Sequence, residues 1–461
     1  MKIVFIILSL LGFCIDGYTQ TIFSSNRSMS TYFLCPNNIP IAYGLNSYGQ
    51  LGDGTNISRS IPVQVIGMSN VFKVATGGSH ALFLKNDGSV YATGNNEYGQ
   101  LGDGTNVNKF TPTQVHDLSD IIDIAAGSGS SLFLKNDGSV WFAGAGYGID
   151  SNIPIHLSGI SGVISVSIGE SHFVFLKNDG TVWTSGSNHY GQLGDETVSF
   201  TPYNMPVEVN GISGITKVAA GQHHSLFLKN DGSVWGCGSN NTGQMGDGTS
   251  GYNNRKFTAV QINGVYDIID ITAGLGSSLF LNSQGEVWGC GYNGGILGSG
   301  TYADSYIPVQ AIGLSEIVEI EAGINHSHFL KSDGTVYSSG VNEFGQLGGD
   351  VGPNTKTPTL VPINTSCVEL GVEENYSYSS KLTIYPNPAS NNIVLQNSNY
   401  KIDNYTTVKI LNSSGHTFQT INETNWIENQ LEIDISNLSS GLYFIHLFDG
   451  INSVHTKFIK E

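Results

Sequence analysis

The sequence predicts an all-β chain: a seven-bladed β-propeller followed by a small antiparallel β-sandwich domain. Three observations carry that prediction. The stretch Ser79-His80-Ala81-Leu82-Phe83-Leu84-Lys85-Asn86-Asp87-Gly88-Ser89-Val90-Tyr91-Ala92-Thr93-Gly94 recurs from residues 131, 173 and 225, and more loosely from 278 and 327. The glycine that ends each copy falls at Gly44, Gly94, Gly144, Gly186, Gly238, Gly291 and Gly340, with spacings of 50, 50, 42, 52, 53 and 49 residues, and self-similarity at a near-fixed period is the signature of a repeat architecture. Beyond about residue 363 the repeat stops and another strand pattern begins.

The N-terminal residues 1–19 hold Lys2, an apolar run over 3–15 and then polar Asp16-Gly17-Tyr18-Thr19. This is the layout of a secretory signal peptide, with cleavage expected near Thr19. The run is too short to span a bilayer, and no transmembrane segment is expected elsewhere. Bulky Phe13 ahead of Cys14 does not suit a lipid-attachment site.

Residues 20–363 form the propeller. Leu82-Phe83-Leu84 and Val90-Tyr91 are strand residue types, and Asn86-Asp87-Gly88 between them is turn chemistry, Gly accepting the positive φ that closes the hairpin. The apolar run does not alternate, so its sheet is expected to be covered on both faces. Ahead of each hairpin lies a further strand, such as Val71-Phe72-Lys73-Val74-Ala75 or Ile121-Ile122-Asp123-Ile124-Ala125. After it comes a loop, Asn46-Ser47-Tyr48-Gly49-Gln50-Leu51-Gly52-Asp53-Gly54-Thr55, repeated at 96–105, 188–197 and 240–249 and in part at 342–348. A strand such as Thr111-Pro112-Thr113-Gln114-Val115 completes four strands in about 50 residues, the layout of a propeller blade. The first copy has lost its turn, but Phe33-Leu34 aligns with Phe83-Leu84 and brings the count to seven. Residues 364–380 read as a polar linker. Residues 381–461 carry candidate strands at 392–396, 406–411, 416–421, 430–434, 441–447 and 453–459, which suits a small antiparallel sandwich.

Across the 461 residues glycine is abundant (59), proline modest (13) and charge low (12%), as befits a turn-rich β protein. The formal charge is −18, and the only arginines are Arg27, Arg59 and Arg255. No basic patch is available for nucleic acid or for anionic lipid. Cys237 and Cys290 share one position in consecutive repeats. Neighbouring sheets pack about 10 Å apart, beyond the roughly 7 Å limit for a disulfide, so both are expected to be buried free thiols. Cys35 and Cys367, near the two ends of the repeat region, are the candidate disulfide.

His80, His172, His224 and His326 are equivalent, with Ser130, Ser277 and Ser30 in the same place elsewhere. Metal ligands must converge on one ion, whereas one histidine per blade spreads around a ring, so these read as hydrogen-bonded structural residues. His223 and His328 lie beside that position and add little. Asp53, Asp103, Asp195 and Asp247 supply one carboxylate per loop, too few for calcium, and Asp87, Asp137, Asp179, Asp231 and Asp333 are turn residues. No catalytic carboxylate pair, nucleophile elbow, zinc-binding helix or phosphate loop stands out. Catalytic, cofactor and metal sites are therefore left unassigned. Trp141, Trp183, Trp235 and Trp288 share a hairpin position and are expected to pack between blades.

The pairing of Asn-x-x-Gly-Gln-Leu-Gly-Asp-Gly-Thr with Ala-Gly-x-x-His-Ser-Leu-Phe-Leu-Lys-Asn-Asp-Gly-Ser-Val-Trp, in that order over residues 21 to about 363, resembles the regulator of chromosome condensation repeat family. The resemblance implies a seven-bladed β-propeller, in agreement with the count. In such a ring Thr357-Pro358-Thr359-Leu360-Val361 is expected to complete the blade begun by Thr21-Ile22-Phe23, with a Cys35–Cys367 disulfide stapling the closure. In the C-terminal domain, Tyr385-Pro386-Asn387-Pro388-Ala389, the stretch 435–443 and the terminal Lys457-Phe458-Ile459-Lys460-Glu461 resemble the type A sorting domain of the type IX secretion system. That likeness implies a Bacteroidota-type bacterium, export across the outer membrane by the type IX machinery, and removal of the domain on the way out.

Tyr48, Tyr98, Tyr190 and Phe344 share one loop position and should lie on one rim of the disc. Either each packs over its own loop as part of the repeat, or together they anchor a partner. Segments 142–156, 196–209 and 251–256, where the repeat relaxes, are the other candidates. The expectation is a monomeric, secreted or cell-surface, non-enzymatic binding or adhesion protein that holds an extracellular protein or polysaccharide on one propeller face. The alternative is inhibition of an extracellular enzyme, since a secreted bacterial β-lactamase inhibitor shares the implied fold. Less favoured are guanine nucleotide exchange, an activity of some eukaryotic family members for which this chain lacks the wedge insertion, and polysaccharide degradation.

Overall fold

The computed structural model describes residues 21–25, 28–35, 38–146, 148, 150–348, 354–361, 382–397, 407–412, 417–422, 430–439, 441–448 and 453–460, in two compact units, 1–370 and 371–461. The expected signal segment and linker lie outside the described residues. The first unit contains seven antiparallel four-stranded sheets, each of four consecutive strands. Blade 2 is typical, with Val71–Thr76 innermost, then His80–Lys85, Val90–Gly94 and Lys109–Gln114 at the circumference. The blades span 21–64, 71–114, 121–156, 163–208, 215–262, 268–310 and 317–361. Innermost strands neighbour one another around the axis, and Thr21–Phe23 adjoins both Val71–Thr76 and Ile317–Ala322, which closes the ring.

The unbroken apolar trio follows from this geometry. Each blade is covered on both faces by its neighbours, so both pleat directions are buried. Phe83 points into the seam with blade 1, beside Tyr32 and Leu34. Leu82 and Leu84 point the other way and meet Phe133 of blade 3. The pattern of two residues from one blade and a Phe from the next repeats at Leu132, Leu134 and Phe175, at Val174, Leu176 and Phe227, at Leu226, Leu228 and Phe280, and at Leu279, Leu281 and Phe329. Trp141, Trp183, Trp235 and Trp288 are half-buried against these seams, as expected. The hairpin lysine lies over three of those rings, Lys135 at 5.1 Å from Trp141, Lys177 at 5.4 Å from Trp183 and Lys229 at 5.8 Å from Trp235. Asp87 accepts from the Ser89 amide and hydroxyl, so the hairpin acids are turn-forming.

Ring closure differs from expectation. Asn354–Val361 pairs with Val336–Val341 as the outer strand of blade 7, while Thr21–Phe23 pairs with Ser30–Leu34 as the inner strand of blade 1. No blade borrows a strand from the other end of the chain. The reason is register: Thr21 opposite Leu34 occupies the place of Lys73 opposite Leu84, so blade 1 already has its innermost strand. The seam between blades 7 and 1 closes by packing, Leu330 and Val336 meeting Ile22, Phe33, Cys35, Ile41 and Tyr43. Cys35 is disulfide-bonded at this seam; its expected partner Cys367 lies outside the described residues.

Cys237 and Cys290 are free and fully buried, and burial pushes both thiols well above their ordinary range. They should resist a thiol-specific chromogenic reagent in the native protein and react on unfolding in urea. Labelling of either at the native rate of a small free thiol would contradict the packing.

The second unit is a sandwich of a three-stranded sheet (Leu382–Tyr385, Asn392–Asn397, Gln430–Asp434) and a four-stranded sheet (Thr417–Asn422, Thr407–Asn412, Gly441–Phe448, Ser453–Lys460). Its core joins Ile393, Leu395 and Ile433 to Val408, Ile410, Ile445 and Phe458.

Candidate binding site

Because strands alternate in direction, the turn between first and second strands and the long loop between third and fourth strands emerge at the same end of every blade. The long loop is a clasp on the next blade. In blade 1, Asn46 folds it: the side-chain oxygen accepts from the Leu51 amide, and the amide group donates to Asp53 at 3.0 Å. Asp53 also accepts from Thr55 and pairs with Arg59 at 2.8 Å. The Gly54 amide then donates to the carbonyl of Phe110 in blade 2. A Cβ on Gly49 would stand 2.2 Å from the Phe110 ring, which explains that glycine. The loop acids are thus structural, with Lys109 on Asp103 and Lys256 on Asp247 repeating the ion pair.

The equivalent histidines stitch the seams. His80 Nε2 lies 2.9 Å from Ser131 Oγ of the next blade, and that hydroxyl donates to the Gln100 carbonyl. The single hydroxyl proton is thereby used, so Nε2 carries the imidazole proton. His172–Ser225 and His224–Ser278 repeat this at 3.0 and 3.2 Å. At the closing seam His326 meets Ser24 at 3.1 Å and Thr31 at 3.3 Å, and His328 meets Thr31 at 2.9 Å. Burial lowers His80 to about 4 and His172, His224 and His326 to about 3. A glycine floors each ring: a Cβ on Gly77 would sit 2.4 Å from His80 Cε1. Along the axis, the innermost strands carry the ion pairs Lys73–Asp123 and Lys217–Asp270 beside Glu319 and Glu321. Among the described residues no three His, Cys, Asp or Glu converge as metal ligands.

The four rim aromatics do not meet one another. Each belongs to its own blade's loop, and the amides of Tyr48, Tyr98, Tyr190 and Phe344 donate to Gln50, Gln100, Gln192 and Gln346. Tyr48, Tyr98 and Phe344 are exposed. Tyr98 also leans on the next blade, where a Cβ on Gly129 would lie 3.1 Å from its ring. Tyr190 differs. It stacks on His223 of blade 5 at 4.4 Å and 17°, and meets His189 edge-on at 4.8 Å. His189 touches Phe200 at 4.6 Å and Tyr252 at 6.2 Å. Arg255 lies 3.6 Å from the Tyr252 ring and donates to the carbonyls of Tyr252 and His189 at 2.8 and 2.7 Å. Glu170 holds His223 at 3.2 Å and Gln222 at 3.0 Å. Phe200 is 81% exposed and Tyr252 47%, so this cluster meets solvent with ring surface.

Blade 4 departs from the repeat to build it. Tyr203 stands opposite Gly186 where Arg59, Lys109 and Lys256 stand opposite their glycines, so Asp195 has lost the basic clamp, and the Tyr203 hydroxyl instead meets Thr197 at 3.0 Å. Glu196 adopts φ +71 where Gly54, Gly104 and Gly248 sit at 78 to 81, a strained choice for a side chain with a Cβ. The outer strand lengthens to Ser199–Glu208, ten residues against six in blade 2, and carries Phe200 outward. The sequence marks 196–209 and 251–256 as candidates, and these contain Phe200, Tyr252 and Arg255 without singling them out; it gives His223 no part and leaves out Glu170 and His189. The only signal for them was that two relaxed segments flank consecutive repeats.

Residues 41–84, 87–134, 179–228, 231–281 and 284–330 match the Regulator of chromosome condensation (RCC1) repeat, and a second description of that repeat matches 73–100, 163–192, 215–244 and 317–346. The chain belongs to the regulator of chromosome condensation repeat family. Among solved relatives of this repeat propeller, Prp20p of Saccharomyces cerevisiae, described with binding properties to Gsp1p and histones, superposes with a TM-score of 0.65 at 22% identity over 71% of this chain and 86% of its own. Human WBSCR16 superposes with a TM-score of 0.63 at 21% identity over 70% of this chain and 93% of its own. These likenesses show the fold. A 105-residue stretch is 32% identical to the X-linked retinitis pigmentosa GTPase regulator homolog of Caenorhabditis elegans, covering 23% of this chain and 7% of that protein. Residues 383–461 match a Secretion system C-terminal sorting domain, which marks this propeller for export by type IX secretion machinery. No helix among the described residues is long and apolar enough to cross a membrane.

Proposed function

We propose that this exported propeller is a non-enzymatic binding protein that holds an extracellular protein or polysaccharide on its loop rim, at the cell surface or after release. The observation that carries this reading is the ring cluster around Tyr190, built where blade 4 gives up a glycine and an ion pair. Departures that cost stability concentrate at functional sites, and solvent-facing aromatic residues are the commonest anchors of interfaces. The histidines of this rim are engaged as packed rings and hydrogen-bond partners, an arrangement suited to recognition. Tyr48, Tyr98 and Phe344 extend the same end of the disc through blades 1, 2 and 7. The full chain, screened against extracellular proteins and polysaccharides, should bind a partner. Changing Tyr48, Tyr98 and Tyr190 together to Ala should weaken that binding by about tenfold or more. Undiminished binding would remove the rim as the contact face.

A further inference from the structure

We infer that the surface formed by Tyr190, Phe200 and Tyr252, with His189, His223 and Arg255 at its edges, is a subsite for an uncharged polysaccharide. This rests on the reading of the rim as a binding face, and narrows it to one seam and one ligand class.

The geometry favours a sugar in three respects. Every ring but Phe200 carries a polar edge: the Tyr190 hydroxyl, the Tyr252 hydroxyl that also meets His189 Nε2 at 3.4 Å, and the His223 nitrogen that faces Glu170. A pyranose is amphiphilic in the same way, with a C–H face for an aromatic platform and hydroxyls at its margin for hydrogen bonds. The platform is also pre-set. Tyr190 is held by the His223 stack, the edge of His189 and the Gln192 side chain that fixes its amide. Tyr252 sits on a 3-10 turn, Tyr252–Asn254, whose following Arg255 lies against its ring and ties it to the His189 carbonyl. Rings that do not have to be ordered on binding lose little entropy there. The centroid spacings, 4.4 to 6.3 Å, are on the scale of one sugar residue.

Charge decides against the other polymers. Arg255 spends its guanidinium on the Tyr252 ring and two backbone carbonyls, and Glu170 is held by His223 and Gln222. For an anionic chain the one arginine here is already engaged through Nε and Nη1, and the −18 charge of the whole protein repels it. A stable protein partner needs about 800 Å² per side with an apolar centre, whereas this surface is a few rings wide with polar atoms among them.

The test is affinity electrophoresis of the full chain in native gels containing laminarin, mannan, xylan or soluble chitin oligomers, with polygalacturonate and gelatin as the charged and protein comparisons. The inference expects retardation by at least one uncharged polymer and little by polygalacturonate. Phe200→Ala and Tyr252→Ala should each weaken it by about tenfold, while Tyr266→Ala, an exposed ring in the connection between blades 5 and 6 at the opposite end of the disc, leaves it unchanged. Both altered rings are exposed, so thermal midpoints should stay close to the parent, and a variant with a shifted midpoint is replaced by Phe200→Ser or Tyr252→Ser. Retardation that survives both changes overturns the placement. No retardation by any uncharged polymer overturns the ligand class, and in that event binding to gelatin or another protein would leave the rim reading standing.

Discussion

Acidification from about pH 6.5 to 4 should destabilise the propeller steeply, as a falling urea midpoint. His80, His172, His224, His326 and His328 are buried, and burial holds every one of them below the ordinary value, His80 to about 4 and His172, His224 and His326 to about 3. In the unfolded chain they titrate near 6.5. Above that pH the rings are neutral in both states and stability does not depend on them. Below it the unfolded chain binds protons that the native protein refuses, so stability falls as pH falls until the native values are reached. Each ring contributes on the order of 3 kcal/mol over the full window. Glu319 and Glu321 act in the opposite sense. Enclosure around the axis and neighbouring carboxylates raise both, Glu319 to about 8. The native state therefore holds their protons where the unfolded chain has lost them, and stability drops as pH climbs from about 4.5 to 8. The two trends place the optimum near neutrality, with five histidines dominating the acid side. His224→Gln, which keeps a donor towards Ser278 without a titrating ring, should flatten the acid limb in part. A midpoint that does not move between pH 6.5 and 4 would contradict five neutral buried rings.

Gly94→Ala should be among the most damaging single substitutions in the blades. Gly94 has φ +107, a conformation that residues with a Cβ rarely adopt. The added carbon would stand 2.4 Å from the Ser79 carbonyl oxygen and 2.7 Å from His80 Cα, backbone atoms that no rotamer change can move aside. Strain and clash together should cost on the order of 3 kcal/mol or more. Gly211→Ala is the control: φ is +78, but nothing lies within 4 Å of the new carbon, so the cost should be closer to about 1 kcal/mol. Equal thermal midpoints for the two variants would show that close approach at Gly94 is not what demands glycine.

Much of the propeller is legible because its constraints are local. Asn86-Asp87-Gly88 names a turn, and Leu82-Phe83-Leu84 names a strand buried on both faces. The spacing of Gly44 to Gly340 counts seven blades, because each of these glycines lies opposite the start of its hairpin strand at φ 98 to 113. The phase of the blades is a different matter. Whether 354–361 belongs with 336–341 or with 21–23 depends on which edge its backbone groups pair with, and either pairing leaves the residue pattern unchanged. Thr31 in the place of Ser131, meeting His326 and His328, shows that the closing seam uses the same chemistry as the others, a correspondence visible only with the blades assembled.

The binding surface was the least legible part. By itself the sequence determined that the chain is a repeat propeller followed by a small antiparallel β domain, since turn chemistry, strand pattern and period are written in neighbouring residues, and the likeness of the motifs in 385–461 to a sorting domain gave that second domain its role. It also marked 196–209 and 251–256 as places where the repeat gives way. Only the tertiary structure decided that these two segments meet, with Tyr252 reaching His189 across 63 residues and Tyr190 resting on His223. The physical reason is that one blade contacts the next about one repeat later along the chain, and no short-range periodicity records which side chains face each other across that gap.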